Sequence, residues 1–326
     1  MTELATYIRQ FASLNRAPGR VWTDATKRKA PHKPILLFAV LDLVARGALT
    51  TPFIDVTGDL VELNELFNLY WRRIIPPGQT SSIAFPFSRL HNEPFWELVP
   101  QPGKEITPAA INNISTVSQL RTAALGARMD EGLFHCMQEP ASRNALRESL
   151  LQSCFSEEGR GALEEQATIN AEAYDYSKEL EQKAHLPLVK ETLTADTYKP
   201  AARDQGFRRI VVTTYDHRCA LCGVRIITPE GHTVVDAAHI LPWSKSKNDD
   251  IRNGMALCKL CHWAFDEGMM GVSENYNVIT SRQISATPNA PGFLLTLTDR
   301  GIIGPPDRDL WPAQQCLAEH RREWRL

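Results

Sequence analysis

Two short cysteine pairs, Cys219/Cys222 and Cys258/Cys261, each with two residues between, bracket a histidine and an asparagine, His239 and Asn253. A second histidine, His262, follows the last cysteine directly, and Asp266 comes four residues later. Four thiols in two such pairs match the tetrahedral ligand set of zinc, and a closed four-cysteine set is structural, not catalytic. Paired thiols with another purpose are the alternative. The loop between the pairs is long, so closing it costs entropy. Zinc binding, about 10–16 kcal/mol in small zinc peptides, offsets that cost. His239 follows the β-branched Val234 and Val235, which predicts a strand end. A lone histidine is more often structural, so the weight lies on the constellation.

In order and spacing, AAHI-x-PW, NG-x-x-LC and CH-x-x-FD-x-G over roughly residues 210–280 resemble the HNH nuclease family, which carries the ββα-metal fold. The resemblance implies His239 as the base that takes a proton from water, which neutral imidazole suits near neutral pH. It implies that Asn253 fixes the loop holding His239 or helps at a metal, and that His262 completes the catalytic set. His262 and Asp266, four apart on a short helix, share one face and form a candidate ligand pair for a divalent ion, Mg2+ or Mn2+. Such an ion would stabilise charge on a phosphodiester in hydrolysis. For Asp266 the rival reading is a residue that supports the helix end. Many family members carry Asp or His directly before the base, whereas this chain has Ala238. Asp236 is the nearest acid and a further candidate ligand. Strict strand alternation points it away from His239, and only a bulge would bring it back.

These residues need a framework. The 326 residues predict two domains, each able to bury a core. A formal charge of -2 excludes a globally basic nucleic-acid binder, so any such surface is local. No apolar run reaches a membrane span, MTELATYIRQF lacks a signal-peptide layout, and a cytoplasmic location with no membrane partner is expected. Cys136, Cys154 and Cys316 are scattered and read as reduced thiols.

Helical spacing predicts a first helix over 2–14, a buried core helix starting at Pro34 and ending at Gly47, and an amphipathic helix over 60–74. Residues 83–100 read as two short strands around a turn at His91–Pro94. Helices follow over 105–155, including 109–120 and 141–155. The Glu- and Ala-rich stretch 157–185 reads as one long, mostly solvated helix, either a spacer or a dimerisation or domain-bridging element. Residues 185–204 read as an irregular linker. A helix leads into Cys219. After Asp266 come a β-hairpin (GMMGVSENYNVITS), a strand at FLLTLTDRG and a terminal helix.

The basic run Asn15–Pro34 is either a solvated loop or a phosphate-contacting arm. His32 and Lys33 beside a helix N-terminus favour the arm. APHKPILLFAVL, AFPFSRL and PFWEL over roughly 1–155 resemble the sulfur-binding domain of type IV (modification-dependent) restriction endonucleases, which pair it with a C-terminal HNH domain. That resemblance implies phosphorothioate-modified double-stranded DNA as the target. It places His32-Lys33 where the family has His-Arg by the modified linkage, and Phe85-Pro86 where it has Tyr-Pro in an apolar cup for sulfur. Arg28, Lys29 and Arg89 are further candidate DNA contacts. Lysine is a point charge and not a planar fork, so phosphate geometry would be read less tightly.

The expected fold class is α+β. A mainly helical DNA-recognition domain with a small sheet (1–155) precedes a helical linker (156–200) and a ββα-metal domain with a four-cysteine zinc (201–326). The expected function is an HNH endonuclease that cleaves modified DNA, with structural Zn2+ and catalytic Mg2+ or Mn2+. One site per chain suggests a homodimer for cutting both strands. The alternatives are an HNH endonuclease that recognises unmodified or base-modified DNA, and a DNA-binding module that has lost catalysis.

Overall fold

A computed structural model describes residues 3–56, 60–186, 197–286 and 288–326. Residues 187–196 of the expected linker lie outside the described residues. The fold is α+β and divides into two compact units, Met1–Asn170 with Thr228–His232, and Ala171–Ile227 with Thr233–Leu326.

The first unit contains α1 (Glu3–Ala12), α2 (His32–Ala45), β1 (Phe53–Asp55), α3 (Leu60–Ile74), α4 (Ala84–Arg89), β2 (Trp96–Pro100), α5 (Pro108–Asn112), α6 (Val117–Ala123), β3 (Ala124–Met129), α7 (Glu131–Gln138) and α8 (Pro140–Cys154). The strands form an antiparallel sheet in the order β1-β3-β2. Helix α2 is apolar on nearly every face and therefore runs through the core, buried from Lys33 to Val44. It stops at Gly47, whose φ of 69° suits a residue without a Cβ. Its one acid, Asp42, is buried and accepts hydrogen bonds from Arg147 (2.6 Å), Tyr70 (2.7 Å) and Asn170 (2.8 Å). A charge so placed persists only because every neighbour is a donor.

The long helix α9 (Glu157–Ala184) spans the division, with Leu163 in the first core and Tyr176, Leu180 and Ala184 in the second. The second unit continues with α10 (Pro200–Thr214), β4 (Val235–His239), α11 (Trp243–Ser246), β5 (Gly254–Cys258), α12 (Lys259–Asp266), β6 (Met270–Val272), β7 (Val278–Thr280) and α13 (Gln314–Trp324). β4 and β5 pair antiparallel without a register shift, from Val235 opposite Cys258 to His239 opposite Gly254. With α12 they make a ββα unit. The expected hairpin after Asp266 is β6–β7.

Four local expectations are corrected. Residues 84–89 form a helix and not a strand, because Ala84, Pro86, Phe87 and Ser88 all turn inward, a one-sided burial that alternation cannot supply. The stretch 109–120 breaks into α5 and α6, since Thr116 caps a new helix through a capping box with Gln119. ALGARM, expected as helix, is the central strand β3, recruited by pairing on both sides. FLLTLT forms 3-10 turns at Gly292–Leu297 and not a strand. In addition, α9 is not mostly solvated: Leu163, Ile169, Ala173, Tyr176 and Leu180 are buried along it.

Candidate active site and metal centre

The knuckle carrying Cys219 and Cys222 is a tight turn. Gly223 takes a φ of 78° and donates its N–H to the Cys219 carbonyl at 2.9 Å. The other pair lies at the β5–α12 junction, Cys258 ending the strand and Cys261 in the first turn of the helix. The four sulfurs lie within 4.8 Å of one another, the only such group of three or more potential ligands among the described residues. Cys222 Sγ and Cys258 Sγ are 3.8 Å apart. A tetrahedral Zn–S bond of about 2.3 Å requires sulfurs about 3.8 Å apart, so the cluster fits zinc. Hydrogen bonding among the thiols, Cys219 first, pushes Cys258 well down and Cys261 well up.

The staple fixes the ends of β4 and β5, and the site grows from the far end of β4. His239 is the last residue of that strand, its side chain 25% exposed. A cavity of about 370 Å³ opens there, lined among others by Ala237, His239, His262, Asp266, His320 and Glu323. Ala237 and His239 share a strand face, so alternation aims both at the cavity. His262 and Asp266 project from one face of α12, with Nε2 and Oδ2 3.4 Å apart. Desolvation raises the Asp266 carboxyl above its ordinary value. The pair fits a divalent cation that keeps water or phosphate oxygens as its other ligands.

Asn253 does not line this cavity. Fully buried, it accepts the Leu241 N–H (3.0 Å) and donates to the carbonyls of Leu241 (3.1 Å) and Asn248 (2.9 Å). It thus pins the loop that follows His239 and has no place at a metal. Asp236 is also outside. The unbroken register of β4 leaves it on the opposite face, where it pairs with Arg208 at 2.8 Å. The bulge that would have returned it does not exist.

Several residues here escaped sequence reasoning. His239 Nε2 lies 2.8 Å from the buried carboxylate of Asp249, which also accepts from Tyr176 and Arg203. Phe207 stacks on the His239 ring. Arg203 and Phe207 are four apart on α10, a spacing visible in sequence, but Asp249 sits in a KNDD stretch that reads as solvated loop. From α13, His320 stacks on Phe265 with centroids 3.8 Å apart and donates Nε2–H to the Phe265 carbonyl at 3.1 Å. Glu323 pairs with Lys245 at the cavity rim.

The family described as HNH endonuclease matches residues 219–273. Over that stretch the chain is similar to an HNH endonuclease domain. The matched stretch runs from the first zinc-knuckle cysteine through α12 to the end of β6 and includes His239, Asn253, His262 and Asp266. A solved structure described as "Modification dependent TagI restriction endonuclease" is similar at 21% identity and a TM-score of 0.28, over 36% of this chain and 36% of that one. The chain therefore spans about a third of that structure's length, and a likeness this partial carries no argument. No curated protein matches.

In the first unit the expected DNA contacts separate into two groups. His32, at the start of α2, packs against Trp71 (centroids 4.8 Å), Phe85 (5.0 Å) and Trp22 (5.2 Å). Burial among these rings lowers its pKa from 6.5 to about 4, and its Nδ1 is buried without a hydrogen-bond partner. Phe85 is exposed, whereas Pro86 is buried. The cations mostly turn to structural work. Lys33 is 7% exposed and forms an ion pair with Glu93 at 2.5 Å, so it does not stand at an anion site beside the helix N-terminus. Arg28 pairs with Asp24, and Arg89 donates to the Ile111 and Asn112 carbonyls at the end of α5. Arg16 and Lys27 donate to carbonyls at the end of α8. Lys29 is exposed. Within the basic run Arg16, Lys27 and Lys33 are thus tied to the fold, while Arg20, Arg28 and Lys29 are exposed.

Proposed function

We propose that the chain is an endonuclease that cleaves phosphorothioate-modified double-stranded DNA by metal-dependent phosphodiester hydrolysis. The observation that carries the hydrolytic part is the shared cavity of His239, His262 and Asp266 beside a four-cysteine staple. His239 takes the proton of the attacking water, a contribution of about 10²–10⁴ for a positioned base. A divalent cation held by His262 and Asp266 would supply electrostatic stabilisation of the phosphate and the leaving oxygen. Lys245, at the rim, is placed to meet the backbone of a bound strand once its contact with Glu323 opens.

The sulfur preference is supported by the aromatic group around His32. Neutral imidazole with one unsatisfied nitrogen, backed by buried Trp71 and flanked by half-buried Trp22 and exposed Phe85, makes a weakly hydrated site. Sulfur is larger and less strongly hydrated than oxygen and loses little there, while an oxyanion would lose its water uncompensated. A second reading keeps the nuclease and changes the target to unmodified or base-modified DNA. It is favoured by Lys33, whose commitment to Glu93 removes the cation that the sulfur-binding resemblance would place by the linkage.

Cleavage of matched duplexes with and without a phosphorothioate, in Mg2+ or Mn2+, tests both. Cutting of the modified duplex alone is expected, with His239→Ala abolishing cleavage and leaving binding intact. Equal cutting of both duplexes establishes the second reading. Binding with no cutting by the unaltered protein overturns the nuclease assignment.

A further inference from the structure

Asp249 lies in the loop between α11 and β5, and its side chain is 3% exposed. Its two oxygens are divided. Oδ1 faces His239 Nε2 at 2.8 Å. Oδ2 accepts from Tyr176 Oη at 3.0 Å and from Arg203 Nε at 2.8 Å. Asp249 therefore stands between one catalytic imidazole and two fixed donors. Burial alone would raise its pKa, but contact with His239, then Arg203 and Tyr176, holds it below the ordinary carboxylate value. An ionised carboxylate only accepts, so the proton between Oδ1 and Nε2 belongs to the imidazole.

We propose that Asp249 is the positioning residue of His239, holding the imidazole with its proton on Nε2 so that Nδ1 is bare and receives the proton of the attacking water. The inference rests on the nuclease reading for its kinetic consequence, though not for its tautomer. Two contacts define the ring. The Phe207 face, 6° from parallel, sets its plane, and Asp249 sets its rotation within that plane. Arg203 compensates the buried charge and is braced against Trp243, with the guanidinium carbon 3.9 Å from the ring centroid. The Asp249 loop is held in turn by Asn253, which clamps the carbonyl of neighbouring Asn248. Asn253 thus acts on the base from a distance, through the loop that presents Asp249.

The division of oxygens makes a sharp forecast for Asp249→Asn. Tyr176 and Arg203 both demand an acceptor, so the amide oxygen takes the Oδ2 position. The amide NH2 then faces His239 Nε2, which must become an acceptor. The ring proton moves to Nδ1, where the base is needed. Nitrogen-15 spectra of His239 in the full chain at neutral pH should show protonated Nε2 in the unaltered protein and protonated Nδ1 in Asp249→Asn. Cleavage should fall about 10⁴-fold in kcat, as when a buried aspartate partner of a catalytic histidine becomes asparagine, with KM little changed. Adding Asp249→Asn to His239→Ala should cost nothing further.

A protonated Nδ1 in the unaltered protein overturns the proposal, and this readout survives even if the variant fails to fold. An unchanged tautomer in Asp249→Asn overturns it too. If the spectra behave as expected and no DNA is cut by the unaltered protein, the nuclease reading fails and the positioning geometry stands.

Discussion

Phe207 lies face to face with His239, ring centroids 4.0 Å apart and planes 6° from parallel. The room for this stack comes from Gly254, directly opposite His239 across the β4–β5 pair. A Cβ on Gly254 would meet Phe207 Cζ at 2.9 Å and Val211 Cγ2 at 2.7 Å. Gly254→Ala should therefore push Phe207 off the imidazole. Overpacking of this kind costs about 1–3 kcal/mol, and kcat should fall at least tenfold from loss of ring alignment. Melting curves and single-turnover cleavage measure the two effects. A variant that melts lower and still cuts at the normal rate would show that the stack has no part in orienting His239.

Zinc should be as much a part of the second core as its apolar residues are. Cys219, Cys258 and Cys261 are buried beside Leu257, Ala264 and Phe265. Cys258→Ser is expected to lose the metal and unfold this unit, because a weakened ligand set no longer offsets the ordering of the long loop. Elemental analysis should find one zinc per chain, and strong chelators should melt the unit. A metal-free protein with unchanged circular dichroism would refute this.

Lys33 and Glu93 form a nearly dry ion pair, each side chain 8% exposed. Removing one partner strands the other, at about 3–5 kcal/mol, whereas an apolar pair of similar size is tolerated. Lys33→Ala should be strongly destabilising, and Lys33→Met with Glu93→Leu should recover most of the loss. DNA affinity of the double variant should match that of the unaltered protein. Any loss of affinity larger than the scatter of the titration would return Lys33 to the DNA surface.

His32 makes the stability of the first unit depend on pH. Its folded pKa of about 4 lies below its ordinary 6.5, so between these values the unfolded chain binds more protons. Its contribution is then complete above pH 6.5 and is lost as pH falls toward 4. The whole shift corresponds to at most about 3 kcal/mol. Denaturant titrations at either end of that window should show the loss, and His32→Phe, which cannot charge, should remove this share of it. Equal pH dependence in both proteins would mean that His32 is solvated and free to charge.

The candidate residues were legible in the chain because their logic is local. Two cysteines at knuckle spacing, a histidine after a β-branched pair and a His–Asp step of four each specify a short geometry. The fully apolar face of α2 and the amphipathic face of α3 were readable for the same reason. The neighbours of those residues were not readable. Asp249 has the look of a solvated turn, and only the approach of α9 and α10 buries it against Tyr176, Arg203 and His239. Lys33 has the look of a phosphate contact, and only Glu93, sixty positions on, turns it inward. Strand β3 resembles a helix segment until β1 and β2 pair with it on both sides. Sequence by itself determined which thiols can gather at a metal and which imidazoles are candidates to move a proton, since residue type and spacing are properties of a few adjacent residues. Tertiary structure alone decided which charges are buried and what each imidazole nitrogen faces, since those depend on contacts between segments whose separation along the chain carries no periodic signal.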